Sequence, residues 1–265
     1  MVLAIVGYGG LLWWFHHHES DLIFTPDRIM RTMADTLGIR RGRVEIRSED
    51  GATLVGRTYR GNVPDSAAMW VLYFHGSGGN ATSRSGFHTG LVRMGLSVVV
   101  AEYRGYGESG GAPTEEGIYR DAGAFYGYLR DTLRIPPSRI VVYGLSLGSA
   151  VAIDLASKVP VSRLIVEGAF TSLPDIGQEM YPYIPVRLLA RARFASLEKI
   201  PRVSAPTLFI HAVDDRTIPI SQGRRLFGAA VSPKMFLEVK GGHGNAFEND
   251  GKVFYAGLGT FLSMK

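Results

Sequence analysis

The stretch Ile140-Val-Val-Tyr-Gly-Leu-Ser-Leu-Gly-Ser-Ala150 decides how the rest of the chain is read. Ile140 to Tyr143 is apolar and β-branched, the character of a buried strand, and the alanine- and leucine-rich residues after Ser146 have the character of a helix. Between them a serine stands framed by Gly144 and Gly148. At that spacing the serine occupies a sharp strand-to-helix turn, where larger flanking side chains would collide with the neighbouring strand and helix. The turn lifts the hydroxyl clear of the sheet to a helix N-terminus, whose dipole favours developing negative charge. Ser146 is therefore a candidate nucleophile, and the remaining chain has to supply a base, an acid and an oxyanion site.

Outward from that turn, strand and helix patterns alternate. Strands are expected at Met69 to Phe74, Leu96 to Glu102, Leu164 to Glu167, Thr207 to His211 and Lys234 to Val239, with helices at Glu115 to Leu133, Ser146 to Val159, Ser221 to Ala230 and Phe247 to Met264. Unbroken apolar strands separated by helices imply a mostly parallel sheet covered on both faces. Ahead of them Arg43 to Arg47 and Thr53 to Tyr59 alternate apolar and polar residues around Glu49-Asp50-Gly51, an antiparallel hairpin signal. A short helix is expected after Pro26. An insertion at about residues 170–203, with Tyr181-Pro-Tyr-Ile-Pro185 and an Arg-rich helical pattern from Val186 to Phe194, interrupts the alternation. Loops leaving the C-terminal ends of parallel strands carry function, so this one is expected to form a small helical cap over Ser146. Its Arg187, Arg191 and Arg193 would face anionic lipid or water.

The 265 residues suit one α/β domain, and 46% apolar residues with 33 glycines describe a globular chain. A net charge of +5 without a dense basic stripe gives no footprint of nucleic-acid binding. With no cysteine, disulfides, thiol nucleophiles and thiolate metal sites are excluded. Val2 to Phe15 is uncharged and ends in Trp13, Trp14 and Phe15 before His16-His17-His18-Glu19. As a helix it would span roughly 21 Å, short of the ~30 Å hydrocarbon core. Residues 1–20 are expected to be a short or tilted membrane anchor ahead of a hydrolase-sized domain at 21–265. An uncleaved export segment, which would allow a periplasmic location, and a helix seated on an apolar groove are the other readings. Arg28, Arg31, Arg40, Arg41 and Arg43 follow the apolar segment and favour a cytoplasmic-facing domain by the positive-inside tendency. No feature of the sequence sets an oligomeric state.

A serine hydroxyl becomes a nucleophile when a neutral imidazole, oriented by a carboxylate, takes its proton. Of the seven histidines, His243 lies in Gly241-Gly-His-Gly-Asn245, a flexible loop after the last strand that can present the ring at the sheet edge. The acid should leave the strand before it, where His211-Ala-Val-Asp-Asp-Arg-Thr-Ile-Pro219 offers Asp214 and Asp215. Adjacent side chains diverge, so one of the two faces the imidazole. Glu167, at another strand end, is a weaker third candidate that reads better as a local hydrogen-bond acceptor. Two backbone N–H groups must meet the developing oxyanion: that of Leu147, after the nucleophile, and that of Ser77 in the turn His75-Gly-Ser-Gly-Gly-Asn80. This turn lacks the Lys-Ser/Thr ending of a phosphate-binding loop.

Five segments in order, His75-Gly-Ser-Gly-Gly-Asn80, Tyr103-Arg-Gly-Tyr-Gly-Glu-Ser-Gly110, Gly144-Leu-Ser-Leu-Gly148, Asp215-Arg-Thr-Ile-Pro219 and Gly242-His-Gly-Asn245, resemble the α/β-hydrolase superfamily. Within it they are similar to the membrane-associated ABHD13/ABHD17 and Bem46-like serine hydrolases, from about Leu22 to the C-terminus. The resemblance implies the α/β-hydrolase fold, with a mostly parallel central sheet, an N-terminal antiparallel hairpin, helices on both faces and a small helical cap. It also implies Asp215 as the acid, since that family's aspartate lies four residues before the proline, and makes Tyr103 to Gly110 a structural loop. Members commonly begin with a short hydrophobic segment. The expected activity is cleavage of carboxylic esters, of small-molecule or lipid acyl substrates and of thioesters in some members, by Ser146, Asp215 and His243 with no cofactor or metal. The membrane surface is expected to be met through residues 2–15. The alternatives are an amidase or peptidase on the same triad, or a non-catalytic membrane-associated scaffold.

Overall fold

The computed structural model describes residues 2–31, 38–65 and 67–264. Eight strands form one sheet: β1 (Arg40–Arg47), β2 (Thr53–Arg60), β3 (Trp70–Phe74), β4 (Ser97–Ala101), β5 (Ile140–Leu145), β6 (Arg163–Glu167), β7 (Thr207–Ala212) and β8 (Lys234–Val239). Their spatial order is β8-β7-β6-β5-β3-β4-β2-β1. From β4 to β8 every pairing is parallel, while β1 pairs with β2, and β2 with β4, antiparallel. This is the α/β-hydrolase fold expected from the sequence. After β3 the chain steps to β4 on one side and then returns to β5 on the other, so the two loops leaving β3 and β5 part across a crevice at the strand ends. Ligands bind at such a reversal in open α/β sheets.

Side chains of the central strands alternate between two cores. Trp70, Leu72 and Phe74 of β3 face one core, with Phe125 and Ile118 of α4 (Glu115–Gly127) and Val151 of α5 (Leu147–Ala156). Val71 and Tyr73 face the other, with Phe87 and Leu91 of α3 (Ser85–Arg93) and Phe254, Leu258 and Phe261 of α11 (Gly251–Ser263). Burial on both faces explains why β3, β4, β5 and β7 read as unbroken apolar runs. The helix expected over Phe247 to Met264 is two pieces, α10 (Ala246–Asn249) and α11, because Asp250 turns its carboxylate to the Lys240 N–H, 3.1 Å away. The helix expected over Glu115 to Leu133 gives way after Gly127 to a π-helical turn, Tyr128–Thr132.

At the N-terminus α1 (Val2–His17) is followed by α2 (Glu19–Ile23). The short helix expected after Pro26 falls partly on residues 32–37, outside the described residues, and residues 27–31 are irregular. Between β6 and β7 lie α6 (Leu173–Met180), α7 (Val186–Leu189) and α8 (Ser196–Lys199). Ser172 caps α6, its hydroxyl accepting the Asp175 N–H. The Arg-rich pattern from Val186 to Phe194 is helical only to Leu189. Beyond it two carboxylates take four consecutive N–H groups away from the helix. Glu19 accepts those of Arg191 (2.8 Å) and Ala192 (3.0 Å), and Glu115 those of Arg193 (2.6 Å) and Phe194 (2.8 Å).

Candidate active site

Ser146 stands between β5 and α5 with φ +52° and ψ −120°, a conformation that side chains rarely adopt. Its neighbours explain why it can. A Cβ on Gly144 would lie 2.0 Å from the Gly148 carbonyl oxygen, and one on Gly148 would lie 2.2 Å from that of Phe74. The Ser146 N–H donates to the Glu167 carbonyl at 2.8 Å, and the Ser146 carbonyl accepts the Ser149 N–H and hydroxyl. The backbone is thus held on both sides of the strained residue.

His243 donates its Nδ1–H to Asp215 Oδ2 at 2.7 Å. Asp215 is 1% exposed at its side chain, and its other oxygen accepts the N–H groups of Thr217 and Ile218. Burial alone would raise its pKa, but the His243 hydrogen bond and charge and those backbone donors hold it below the usual carboxylate value. Asp214 diverges, as adjacent residues must, and accepts from the N–H groups of Gly241 and Gly242. It braces the loop that carries the imidazole from the outside. His211, buried under the same turn, donates Nε2–H to the Ile218 carbonyl at 2.9 Å.

The turn after β3 is fixed by the Tyr103 to Gly110 loop. The Tyr103 hydroxyl donates to the His75 carbonyl at 2.8 Å, and the Tyr106 hydroxyl to the Ser77 carbonyl at 2.6 Å. Thr25 adds its N–H to the Ser77 carbonyl. With its carbonyl so engaged, the Ser77 peptide is held beside Ser146, and a Cβ on Gly76 would touch that of Ser146 at 3.5 Å. Leu147 opens α5, where an N–H has no partner in the preceding turn.

Ser77, Ser146 and Leu147 line one cavity of about 280 Å³, and Ser77, Ser146 and His243 line a second of about 240 Å³. The structure therefore gathers Ser146, Asp215, His243, Ser77 and Leu147 at one place and leaves Asp214 beside it. Glu167 is at the site as an acceptor: its Oε2 takes the Tyr143 hydroxyl at 2.6 Å, and Arg84 Nη1 is 3.4 Å away. A larger hollow of about 600 Å³ lies behind Glu19 among Pro113, Glu115 and Tyr119, and Ser146 does not line it.

Three contributors escape the sequence reading. Gly168, at φ +58°, makes room for the imidazole, since a Cβ there would lie 2.9 Å from His243 Cε1. A glycine directly after an apolar strand is a signal of such close approach. Arg84, its side chain mostly buried, donates to the Tyr73 hydroxyl at 2.9 Å and to the Gly244 carbonyl, so it holds the residue after His243. Glu19 joins the amino-terminal segment to the insertion: Phe15, Leu22 and Ile23 form one wall of the 280 Å³ cavity, facing Leu173, Ile176 and Met180 of α6. Neither Arg84 nor Glu19 stands in a motif that would have marked it.

Phe15 and Tyr181, which both line the cavity, meet edge-on, and α1 is tied further to the insertion where Tyr8 donates to the Tyr183 carbonyl and Arg191 to the His16 carbonyl. Trp13, Trp14, Tyr8 and Leu11 remain exposed on α1. Among the described residues no helix is long and apolar enough to cross a membrane, and no group of His, Asp or Glu side chains is arranged to hold a metal ion.

The family model described as "Serine aminopeptidase, S33" matches residues 65–197. An uncharacterized protein of Mycobacterium tuberculosis is 34% identical over 99% of this chain and 94% of its own. The human alpha/beta hydrolase domain-containing protein 17B is 30% identical over 76% of this chain and 68% of its own. Among solved structures, the Pyrococcus furiosus esterase Pf2001 superposes with a TM-score of 0.74 at 21% identity, over 90% of this chain and 98% of that one.

Proposed function

The chain belongs to the α/β-hydrolase family that the "Serine aminopeptidase, S33" model describes, and on that premise we propose that it cleaves carboxylic esters through an acyl-enzyme on Ser146. His243 takes the hydroxyl proton as Ser146 attacks the acyl carbonyl, and Asp215 holds the ring in the tautomer that leaves Nε2 free to accept it. The N–H groups of Ser77 and Leu147 meet the oxyanion as it forms. His243 then protonates the departing alcohol, and water, deprotonated by the same imidazole, releases the acid. The observation that carries this reading is the 2.7 Å Asp215–His243 pair, whose imidazole lines the same cavity as a serine held at φ +52°. The apolar 280 Å³ cavity supports an acyl chain of short to medium length as the other half of the substrate. Ser146→Ala should abolish hydrolysis of p-nitrophenyl butyrate and labelling by a fluorophosphonate, and turnover at the wild-type rate would refute the mechanism.

Because the matched family is described as an aminopeptidase, amide cleavage on the same residues is the second reading. Butyryl p-nitroanilide against p-nitrophenyl butyrate separates the two, and an anilide rate equal to or above the ester rate favours the peptidase. The exposed Trp13, Trp14, Tyr8 and Leu11 on α1, the helix whose Phe15 lines the cavity, support contact of this helix with a lipid surface, where such side chains are at home. Trp13→Ala with Trp14→Ala should lower co-sedimentation with anionic vesicles several-fold and leave hydrolysis of soluble butyrate near wild type. Unchanged sedimentation would remove the lipid contact.

A further inference from the structure

The loop that carries His243 has no regular structure of its own to fix the imidazole. Gly242 and Gly244, on either side of it, stand at φ +70° and +77°, and glycine loses more chain entropy than any other residue when its backbone is fixed. Ahead of the ring the loop is tied down. Asp214 accepts the N–H groups of Gly241 and Gly242, and the Asn249 amide donates to the Gly241 carbonyl at 3.3 Å. Beyond the ring the tie is Arg84, whose Nη2 donates to the Gly244 carbonyl. Leu145, the residue before Ser146, packs against the same glycine, since a Cβ there would lie 3.2 Å from Leu145 Cδ1. The spacing between base and nucleophile is therefore set across the Gly244–Leu145 contact, and Arg84 is the group that holds Gly244 to it.

Arg84 is itself closely held. Its guanidinium lies against the rings of Phe87 and Phe247, 4.9 and 4.8 Å from their centroids. Nη1 donates to the Tyr73 hydroxyl at 2.9 Å and lies 3.4 Å from Glu167 Oε2. That carboxylate is 4% exposed, against 14% for the arginine side chain, and also accepts the Tyr143 hydroxyl at 2.6 Å. A buried pair of opposite charges adds little to stability, because lost hydration offsets most of the attraction. Its surroundings point to another use. The main-chain carbonyl of Glu167 accepts the Ser146 N–H at 2.8 Å. Ser83, next to Arg84, accepts the Asn80 N–H on its hydroxyl at 2.9 Å, which joins the arginine to the turn that carries Ser77. One ion pair thus reaches the nucleophile, the base and the oxyanion turn. The guanidinium fork serves several acceptors at once in fixed directions, as an ammonium group on a flexible stem does not.

We propose that Arg84, balanced by Glu167, is a positioning residue that sets the His243 imidazole against Ser146, acting through the Gly244 carbonyl. This rests on the esterase reading of Ser146 and His243 and names what keeps its base in register. A displaced imidazole fails at two steps, taking the Ser146 proton and protonating the departing alcohol. p-Nitrophenolate leaves without a proton, whereas the alcohol of ethyl butyrate leaves only with one, so the two esters weigh the second step differently. Arg84→Met keeps an apolar chain against Phe87 and Phe247 but removes the charge and every donor. It also strands the Glu167 carboxylate and lowers Tm, so the deciding protein is Arg84→Met with Glu167→Gln, which removes both charges. This double variant should recover most of the lost Tm. Its kcat/KM on p-nitrophenyl butyrate should nevertheless stay about 10²-fold below wild type, the scale of a misplacement of about 1 Å. On ethyl butyrate the fall should be about tenfold larger still. The ratio of the two falls does not depend on how much of the protein is folded. Equal falls on the two esters, or a double variant within about threefold of wild type on both, would overturn the role of Arg84 while the wild type still cleaves p-nitrophenyl butyrate. A wild-type enzyme that cleaves neither ester and resists the fluorophosphonate would instead overturn the esterase reading, and the positioning role with it.

Discussion

Ser146 keeps its strained backbone because two side chains are missing on either side of it. With the Gly144 and Gly148 positions closed to any Cβ by carbonyl oxygens at 2.0 and 2.2 Å, the turn admits one shape. This part was legible from composition, since a Gly-x-Ser-x-Gly spacing has few other physical uses. The choice between Asp214 and Asp215 was not legible from the residues alone, because both follow the same strand and only the direction of a side chain separates them. The structure points Asp215 at the imidazole and Asp214 at the backbone of the loop that carries it. Asp215→Asn should leave the fold intact and lower kcat on p-nitrophenyl butyrate by roughly 10³- to 10⁴-fold with little change in KM, because the amide stabilises the wrong tautomer. Asp214→Asn should cost under about tenfold, since the amide oxygen still accepts from Gly241 and Gly242. Steady-state kinetics of the two variants side by side check the assignment, and equal losses would contradict it.

At the scale of elements, the strands from β2 to β8 were readable to within two residues, whereas the largely exposed β1 begins at Arg40, three residues before the alternating pattern that starts at Arg43. The insertion was not readable in this way. Arg187, Arg191 and Arg193 carry a helical spacing, yet Glu19 and Glu115, distant in sequence, outbid the local pattern for the backbone N–H groups of residues 191–194. Hydrogen bonds to a charged acceptor are worth about 1.5–3 kcal/mol each, more than a short helix gains per residue. Glu19→Ala should therefore free the amino-terminal segment from the insertion. The expected outcome is a fall of a few degrees in Tm together with a broader acyl-chain profile, with longer p-nitrophenyl esters gaining on butyrate by about threefold or more, as the wall made by Phe15 and Ile23 loosens. A fall in Tm with an unchanged profile would show that Glu19 supports stability alone.

The molecule as a whole is braced away from the site by Arg104. Its guanidinium grips Asp121 at 2.7 Å and Asp50 at 2.7 Å, and ties the β1–β2 hairpin to α4. Asp121 is 1% exposed, and burial outweighs the arginine enough to raise its pKa, so the carboxylate depends on its partner. Arg104→Ala strands that charge and should destabilise the fold by roughly 3–5 kcal/mol. Thermal unfolding should register this as a drop in Tm on the order of 10 °C. A shift below about 2 °C would show that Asp121 takes up a proton or finds another partner at little cost. The overall fold was legible because alternation of element types constrains topology strongly. The long-range ties were not, because Arg104, Arg84 and Glu19 look in sequence like any surface charge until the fold buries them.

The Glu19 clamp also bears on how such enzymes can be recombined. The acyl cavity has one wall from residues near 15–23 and the facing wall from residues near 170–186, encoded about 150 positions apart. A chimera that exchanges only the insertion would graft half a mould onto a foreign leader. Its two halves travel together only when both stretches, and the carboxylate that joins them, are transplanted as a set.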